Sequence, residues 1–473
     1  MEDDLMQTYE IKQVSLGQNK GAPRIFIENH RLGQAGFSPG VRYEVKVDEG
    51  RVVLQLKEDG DRVVSGKARG EVQVPVIDLN SNRVLGQFAD HASVRLVVRY
   101  GQIHLLPLAS RKRARERLDR LVNRLEEGKP LRTASVCHGG GVLSKALHDG
   151  LGAAGVTSTL VMANDFEPGV LFQASLHNPV WNKRTKAVAA PLQEIVTDDY
   201  LLGQVGEIEV LEAGLPCTAA SLSGRAKKHL SMAEADEKAG HLVAPFLALI
   251  NRMQPAIVVL ENVPPYQNTA SMWLLRHTLR DWGYVVHEAI LGAQDFGCLE
   301  DRKRLCMVAV TTGLSFEIEA VKPRLHSKPR VRDVLEHVPD DDPSWKQVAY
   351  LKAKEERDKA AGKGFRMQLV DMDATRIGTI GSQYMKARST EPRIPHPDPD
   401  DPRSRLLTPG EHAAAKGVDP VLITGMPATR AHHLLGNGVC PAPFEAVAYC
   451  LGVMLTAMVS KMTDHAPAFA AAR

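Results

Sequence analysis

Residues Ala134-Ser-Val-Cys-His-Gly-Gly-Gly141 carry an apolar strand into three glycines, and an amphipathic helix follows at Val142. Glycines between a strand and a helix let the backbone pass close to a ligand at the helix N-terminus. A second apolar strand, residues 160–163, ends just before Asp165, where nucleotide-binding folds place an acidic group for a ribose hydroxyl. These features alone are equally compatible with a dinucleotide site and with a simple tight turn.

The chain beyond this loop predicts an α/β fold. Short apolar strands alternate with helical stretches from residue 131, which is typical of a doubly wound, Rossmann-like sheet. Residues 314–404 interrupt the pattern because they are polar, basic in patches and end in a proline-rich linker at 396–402. We therefore expect an α/β domain at 131–313, a small second domain at 314–404, and a segment, 405–473, that returns to the first.

The region before residue 131 has a different pattern of polar and apolar residues. Residues 1–20 look like a flexible polar tail, residues 21–108 like an all-β domain, and residues 109–130 like a charged linker helix. The β region contains two copies of the order strand, Leu-Gly-Gln, hairpin. The first copy resembles the swapped-hairpin (AbrB-like) domains, which pair two such units into one small barrel and often bind DNA. A plain β accessory domain is the alternative.

Composition narrows the class of protein. The formal net charge is only +3, so charge alone neither demands nor excludes nucleic acid. The six cysteines are scattered without a CxxC pair, which suggests neither a disulfide framework nor a metal site. The acidic N-terminus has no apolar leader, and no apolar run approaches the roughly 18 residues of a membrane span. We expect a cytoplasmic protein, large enough to act as a monomer.

Reactive side chains follow several of the predicted strands. The strand at 208–212 leads into Gly214-Leu-Pro216-Cys217, and the strand at 256–260 ends at Glu261. Doubly wound folds bind ligands beyond the carboxyl ends of their strands. A cysteine in a loop is most often simply buried, which is the alternative interpretation of Cys217. A carboxylate at the end of a strand, such as Glu261, packs poorly but is well suited to acid catalysis.

The ordered set of motifs over residues 131–473 resembles the cytosine-C5 DNA methyltransferases. The family's ProCys matches Pro216-Cys217, and its Glu-Asn-Val matches Glu261-Asn262-Val263. Its Gln-x-Arg-x-Arg matches Glu300-x-Arg302-x-Arg304, and its Gly-Asn matches Gly436-Asn437.

The resemblance implies that Cys217 adds to C6 of a cytosine flipped out of double-stranded DNA. Glu261 would bond N3, while Arg302 and Arg304 hold the O2 edge and the carboxylate. Further contacts to the base are implied for Pro216, Ser221, Asn262 and Val263. The methyl donor S-adenosylmethionine would be bound by Val136, His138, Gly140, Gly141, Asp165, Phe166, Leu192, Asn437 and Val439.

The same resemblance makes residues 314–404 a target-recognition domain. Its candidate phosphate contacts are Lys322, Arg324, Lys328, Arg330 and Arg332. A restriction-modification role with a companion endonuclease, on nucleoid DNA, would fit such an enzyme.

The first motif departs from the family, which usually has Asp-x-Phe-x-Gly-x-Gly-Gly where this chain has Ala134, Val136, His138, Gly140 and Gly141. Thr218 and Glu300 both stand where the family has glutamine, and an acidic residue is missing near Leu192. The nucleophile, the acid and the arginines are retained, so we expect an active enzyme. The alternatives are a tRNA methyltransferase, a non-catalytic DNA-binding protein and a nucleotide-dependent oxidoreductase.

Overall fold

The computed structural model describes residues 8–216, 232–237, 239–324 and 329–465. The chain divides into two compact units, residues 1–113 and 114–473.

The first unit is built from two antiparallel sheets around one apolar core. Its described strands and helices are β1 Thr8–Ser15, β2 Gly17–Asn19, β3 Ala22–Glu28, α1 Arg31–Gln34, β4 Arg42–Asp48, β5 Arg51–Leu56, β6 Arg62–Val63, β7 Ser65–Arg69, β8 Val72–Asn80, α2 Asn82–Leu85, β9 Ser93–Arg99 and β10 Gln102–Pro107. One sheet has the order β1-β9-β10-β5-β4-β6 and the other has the order β2-β3-β8-β7. Residues 8–20 were expected to be a flexible tail. That expectation was wrong, because β1 pairs with β9 along its length.

The two sequence copies in this unit have the same local structure. Each consists of a strand, a short helix at the Leu-Gly-Gln motif and a hairpin, and the leucines of both motifs, Leu32 and Leu85, are fully buried. The copies pair with each other, β3 with β8 and β5 with β10. At the centre of the first pairing Phe26 lies opposite Asp78. The likeness to swapped-hairpin domains stays a prediction.

Helix α3, Ala109–Glu126, was expected to be a charged linker, but from Ala114 onward it packs into the second unit. Arg117 is 1% exposed and donates to Thr311 Oγ1 and to the carbonyl oxygen of Trp282. Its guanidinium also lies 4.0 Å from the centre of the Tyr284 ring, a cation–π contact. The helix is therefore part of the second unit's core.

The second unit is organised by a seven-stranded sheet in the order β13-β12-β11-β14-β15-β17-β16. Its strands are β11 Leu131–Val136, β12 Ser158–Asn164, β13 Lys186–Val188, β14 Val210–Gly214, β15 Ile257–Asn262, β16 Tyr284–Gly292 and β17 Lys303–Thr311. β13, β12, β11, β14 and β15 run parallel, whereas β17 pairs antiparallel with both β15 and β16. This is the doubly wound, Rossmann-like α/β sheet that the sequence predicts, and β14 lies at its centre.

Helices cover both faces of this sheet. They are α4 Val142–Ala153, α5 Pro168–His177, α6 Leu192–Ile195, α7 Asp199–Val205, α8 Val243–Met253 and α9 Ala270–Asp281, followed after the inserted segment by α11 Pro409–Lys416, α12 Ala428–Asn437 and α13 Pro441–His465. In α13, Pro441–Lys461 is long and apolar enough to cross a membrane, so the expectation that no apolar run reaches that length was wrong. Phe444, Val447 and Leu451 nevertheless pack in the core beside α4, as in the core helix of a globular protein.

Residues 314–404 contain little regular structure. They hold helix α10, Ala349–Ala360, and strands β18 Lys346–Gln347, β19 Ile394–Pro395 and β20 Arg403–Arg405. The stretch at 396–402 was expected to be a linker, but it is the turn of the β19–β20 hairpin. Arg393 directly precedes β19, and its buried guanidinium donates to both the side-chain and the backbone oxygen of Ser404 on β20.

A buried charged cluster joins three separate parts of the second unit. Glu300, fully buried just before β17, accepts hydrogen bonds from Lys416 Nζ of α11 at 2.7 Å and from the backbone N–H of Ile380 at 3.0 Å. Arg302 donates to Glu300 at 3.2 Å and to the carbonyl oxygen of Gly436 at 2.8 Å. Although burial acts to raise it, Lys416 and Arg302 hold the pKa of Glu300 below its ordinary value.

Replacing Glu300 with glutamine is expected to destabilise the protein by about 3 kcal/mol, because Lys416 and Arg302 then remain buried without their anion. Lys416→Met in the same chain should recover most of that loss, because it removes the uncompensated cation. Urea unfolding of the two variants and the double variant measures both effects.

The control is Asp373→Asn, which breaks an exposed pair with Arg330. It should cost less than about 1 kcal/mol. A Glu300→Gln variant as stable as this control would show that the cluster does not hold the three parts together.

Candidate active site

The glycine loop between β11 and α4 has an unusual backbone. Cys137, Gly139 and Gly141 all have positive φ, at 54°, 55° and 73°. For Cys137 this conformation is strained, since only glycine adopts it without steric cost. The loop is fastened to the end of β12, because the N–H of His138 donates to the carbonyl oxygen of Asn164 and the N–H of Gly139 donates to Asp165 Oδ2, each at 2.8 Å.

His138 occupies a position where the resemblance leads us to expect glycine, and its ring is buried beneath the loop. Its Nδ1 lies 2.7 Å from Ser135 Oγ, and Trp181 Nε1 donates to its Nε2 at 3.1 Å. Burial lowers the pKa of His138 to about 3, so the ring is neutral near pH 7. The buried His138 ring is therefore held between Ser135 and Trp181.

A cleft of about 590 Å³ opens at the carboxyl ends of the parallel strands. That is the edge where doubly wound folds bind ligands. The predicted site residues that line it are His138, Gly140, Asp165, Phe166, Pro216, Glu261, Arg304, Asn437 and Val439. Motifs far apart in the sequence are thus brought together around one cavity.

Glu261 and Arg304 form the charged edge of the cleft. Arg304 Nε lies 2.8 Å from Glu261 Oε1, and both side chains are mostly buried. Burial raises the pKa of Glu261 above its ordinary value, and Arg304 opposes that shift. The antiparallel pairing of β15 with β17 brings these two strand ends together. The site thus holds a carboxyl group that takes up a proton more readily than usual.

The approach to the predicted nucleophile is fixed by Asn262. Its side-chain amide donates to the carbonyl oxygen of Leu215 at 3.2 Å, and its Oδ1 accepts the N–H of Val263 at 2.9 Å. Asn262 therefore acts on the loop backbone, and neither it nor Val263 lines the cleft. Pro216 does line the cleft, while Cys217 and Ser221 lie outside the described residues.

Several predicted contacts lie elsewhere. Arg302, expected to hold the base together with Arg304, is 5% exposed and belongs to the Glu300 cluster. Val136 is buried in β11, and Leu192 packs in the core on α6 and does not line the cleft. At Gly141 a Cβ would meet the side chains of His138 and Asn178, so this glycine is required by packing beneath the loop.

The basic residues proposed as phosphate contacts are mostly engaged within the protein. Arg324 pairs with Glu445 at 2.8 Å and lies over the Tyr449 ring, while Arg330 and Arg332 both pair with Asp373. Lys328 lies outside the described residues.

Sequence reasoning missed a second group of cleft residues. These are Cys137, Glu167, Gln173, Glu212, Met426, Arg430 and His433. A signal existed for Glu212, because an acidic residue stands inside the otherwise apolar strand Val-Leu-Glu-Ala at 210–213. The residues from α12 and the turn before it carried no motif, and only the fold brings them to the cleft.

Known proteins resemble this chain in sequence. The C-5 cytosine-specific DNA methylase family matches residues 178–452, more than half of the chain. Type II methyltransferase M.NlaX of Neisseria lactamica is 28% identical over 277 residues, 56% of this chain and 83% of that protein. Type II methyltransferase M1.ScrFI of Lactococcus lactis subsp. cremoris is 28% identical over 256 residues, 51% of this chain and 61% of that protein.

Solved structures share its fold. The Dnmt2 methyltransferase of S. pombe has a TM-score of 0.52 at 16% identity, over 69% of this chain and 99% of that one. EhMeth, a methyltransferase of Entamoeba histolytica, has a TM-score of 0.53 at 16% identity, over 70% and 99%. The family match, the type II methyltransferase relatives and the shared fold agree. The chain belongs to the C-5 cytosine-specific DNA methylase family and is a DNA cytosine-5-methyltransferase.

Proposed function

We propose that this enzyme methylates a flipped cytosine in double-stranded DNA through a covalent bond between Cys217 and C6, with S-adenosylmethionine as donor. The observation that carries the proposal is the Glu261–Arg304 pair, 2.8 Å apart in the cleft that Pro216 also lines. Cys217 follows Pro216 directly in the sequence.

The cleft fits the proposed cofactor in shape and charge. Exposed Phe166 offers an aromatic face for adenine, and Asp165 follows β12 where a ribose hydroxyl is held. At the other side of the glycine loop, the first turn of α4 presents backbone N–H groups suited to a carboxylate. When bound there, S-adenosylmethionine supplies an electrophilic methyl group.

The chain's own residues do the remaining chemistry. The Cys217 thiolate adds to C6, and the electron pair released from the C5–C6 bond makes C5 nucleophilic. Protonated Glu261 donates to N3 as negative charge develops on the ring, and Arg304 holds the carboxyl group in place. After methylation at C5, loss of the C5 proton restores the double bond and expels Cys217.

The substrate must leave the duplex to reach this cleft, because a thiol has to attack C6 from a face of the ring and stacking covers both faces of a base in the duplex. We propose that residues 314–404 read the target sequence, that the enzyme acts as a monomer on nucleoid DNA in the cytoplasm, and that a companion endonuclease exists. The restriction-modification role is supported by the names of the relatives above, which are type II methyltransferases.

Cys217→Ala is expected to abolish methyl transfer, because it removes the thiol proposed to add to C6. The Cys137 thiol that lines the cleft is not expected to replace it, because burial raises the pKa of Cys137 to about 12 and keeps it protonated. Tritiated-methyl S-adenosylmethionine would be incubated with wild type or variant and either mixed duplex DNA or tRNA. Label in DNA as 5-methylcytosine, absent in the variant, is the expected result. DNA containing 5-fluorocytosine should trap wild type, but not the variant, as a stable adduct.

Label in tRNA alone would move the substrate to RNA and leave the mechanism intact. Tight DNA binding without label in either substrate would establish the non-catalytic alternative instead.

Glu261→Gln should lower the rate of methyl transfer by about 100-fold or more, because the amide keeps a hydrogen-bond donor but cannot transfer the proton. Affinity for S-adenosylhomocysteine, measured by titration calorimetry, should change little. A parallel loss of cofactor affinity would instead assign Glu261 to cofactor binding.

A further inference from the structure

Glu212 is a carboxylate in the core of the sheet. It lies on β14, between β11 and β15, and is 3% exposed, while its neighbours Leu211 and Ala213 are fully buried. An ionised carboxylate in such surroundings is costly unless a cation or several donors compensate it. Its presence in a central strand therefore requires a physical reason.

The described surroundings of Glu212 compensate its charge only in part, through the hydroxyls of Ser135 and Ser144, which act to lower its pKa. Its Oε1 has no hydrogen-bond partner among the described residues, and neither does Ser144 Oγ in the first turn of α4. The hydroxyl of Ser135, paired with Glu212 in the β11–β14 register, lies 2.7 Å from His138 Nδ1. Glu212 also lines the cleft. One carboxylate oxygen is thus left for a group that enters from the cleft.

The charges around Glu212 also favour a cationic ligand. Burial raises its pKa to about 7, while the hydroxyls of Ser135 and Ser144 act in the opposite direction. His138, which lies against Ser135, supplies no positive charge near neutral pH, because burial lowers its pKa to about 3. A cationic group from a ligand would complete the site.

Its position in the sheet identifies which part of the cofactor it meets. Phe166 and Asp165 follow β12 on one side, and Glu261 ends β15 on the other. If the cleft binds the cofactor as proposed, adenosine would lie toward β12 and the reacting methyl group toward β15. The amino-acid part would then fall between them, over β11, β14 and the first turn of α4.

We propose that Glu212 binds the α-ammonium group of the cofactor's amino-acid part, while the backbone N–H groups at the start of α4 bind its carboxylate. This inference rests on the proposed role of the cleft as the S-adenosylmethionine site. The ligand class it selects is an S-adenosyl amino acid with a free α-amine. No motif of the family resemblance includes this residue.

The test compares two ligands by titration calorimetry at pH 8. One is S-adenosylhomocysteine, whose only cationic group is the α-ammonium, and the other is its analogue with hydrogen in place of the α-amino group. Wild type should bind the analogue about 10- to 100-fold more weakly, as expected for a hydrogen-bonded buried charge. In Glu212→Gln this ratio should fall to within about threefold.

Glu167→Gln is the matched control, because it removes the same charge from the exposed, β12 side of the cleft. It should leave the ratio at the wild-type value. A Glu212→Gln variant that keeps the full ratio would overturn the inference. Failure of wild type to bind either ligand would overturn the cofactor assignment itself, so the two failures are distinguishable.

A second measurement on wild type needs no variant and covers the case in which Glu212→Gln does not fold. At pH 6.5, binding of the ammonium should drive Glu212 to ionise, so about half a proton or more should be released per site. Calorimetry in buffers of different ionisation enthalpy measures this release. Equal proton release with the analogue, which shares every other contact, would contradict the proposal.

Discussion

The contact on which the second unit depends is the buried hydrogen bond between Lys416 and Glu300. Glu300 stands where the family resemblance predicts an uncharged glutamine, and a buried lysine compensates the added charge. Through Arg302 and Ile380 the same carboxylate reaches the carbonyl of Gly436 and the inserted segment. Arg304, which lines the cleft, lies two residues beyond Arg302, so the buried cluster fixes the backbone from which Arg304 extends.

A second buried network lies beneath the glycine loop at the edge of the cleft. His138, which departs from the family's glycine, is held between Ser135 and Trp181 and stays neutral. The loop above it keeps its positive φ angles and its tie to Asp165. Each departure from the family pattern is thus accommodated by a partner from a distant part of the sequence, Lys416 for Glu300 and Trp181 for His138.

The sequence was sufficient for the fold class and for the convergence of the motifs, since the carboxyl ends of parallel strands share one edge. It was insufficient for the roles of Arg302 and Leu192, because a motif does not say which way a side chain points. Helix α3 was misjudged for a related reason. A charged residue such as Arg117 is ordinarily on the surface, and only the carbonyls brought together by the fold make its burial favourable.

The tandem pairing in the first unit has a consequence for symmetry. When two identical chains pair such strands across a two-fold axis, every cross-strand pair occurs twice with the same residue types. Here both copies lie in one chain, so two equivalent pairs differ: Ile25 faces Leu79, whereas Asp78 faces Phe26 and also pairs with Arg24 at 2.6 Å. Each half of the unit is free to diverge from the other, and its assembly does not depend on protein concentration.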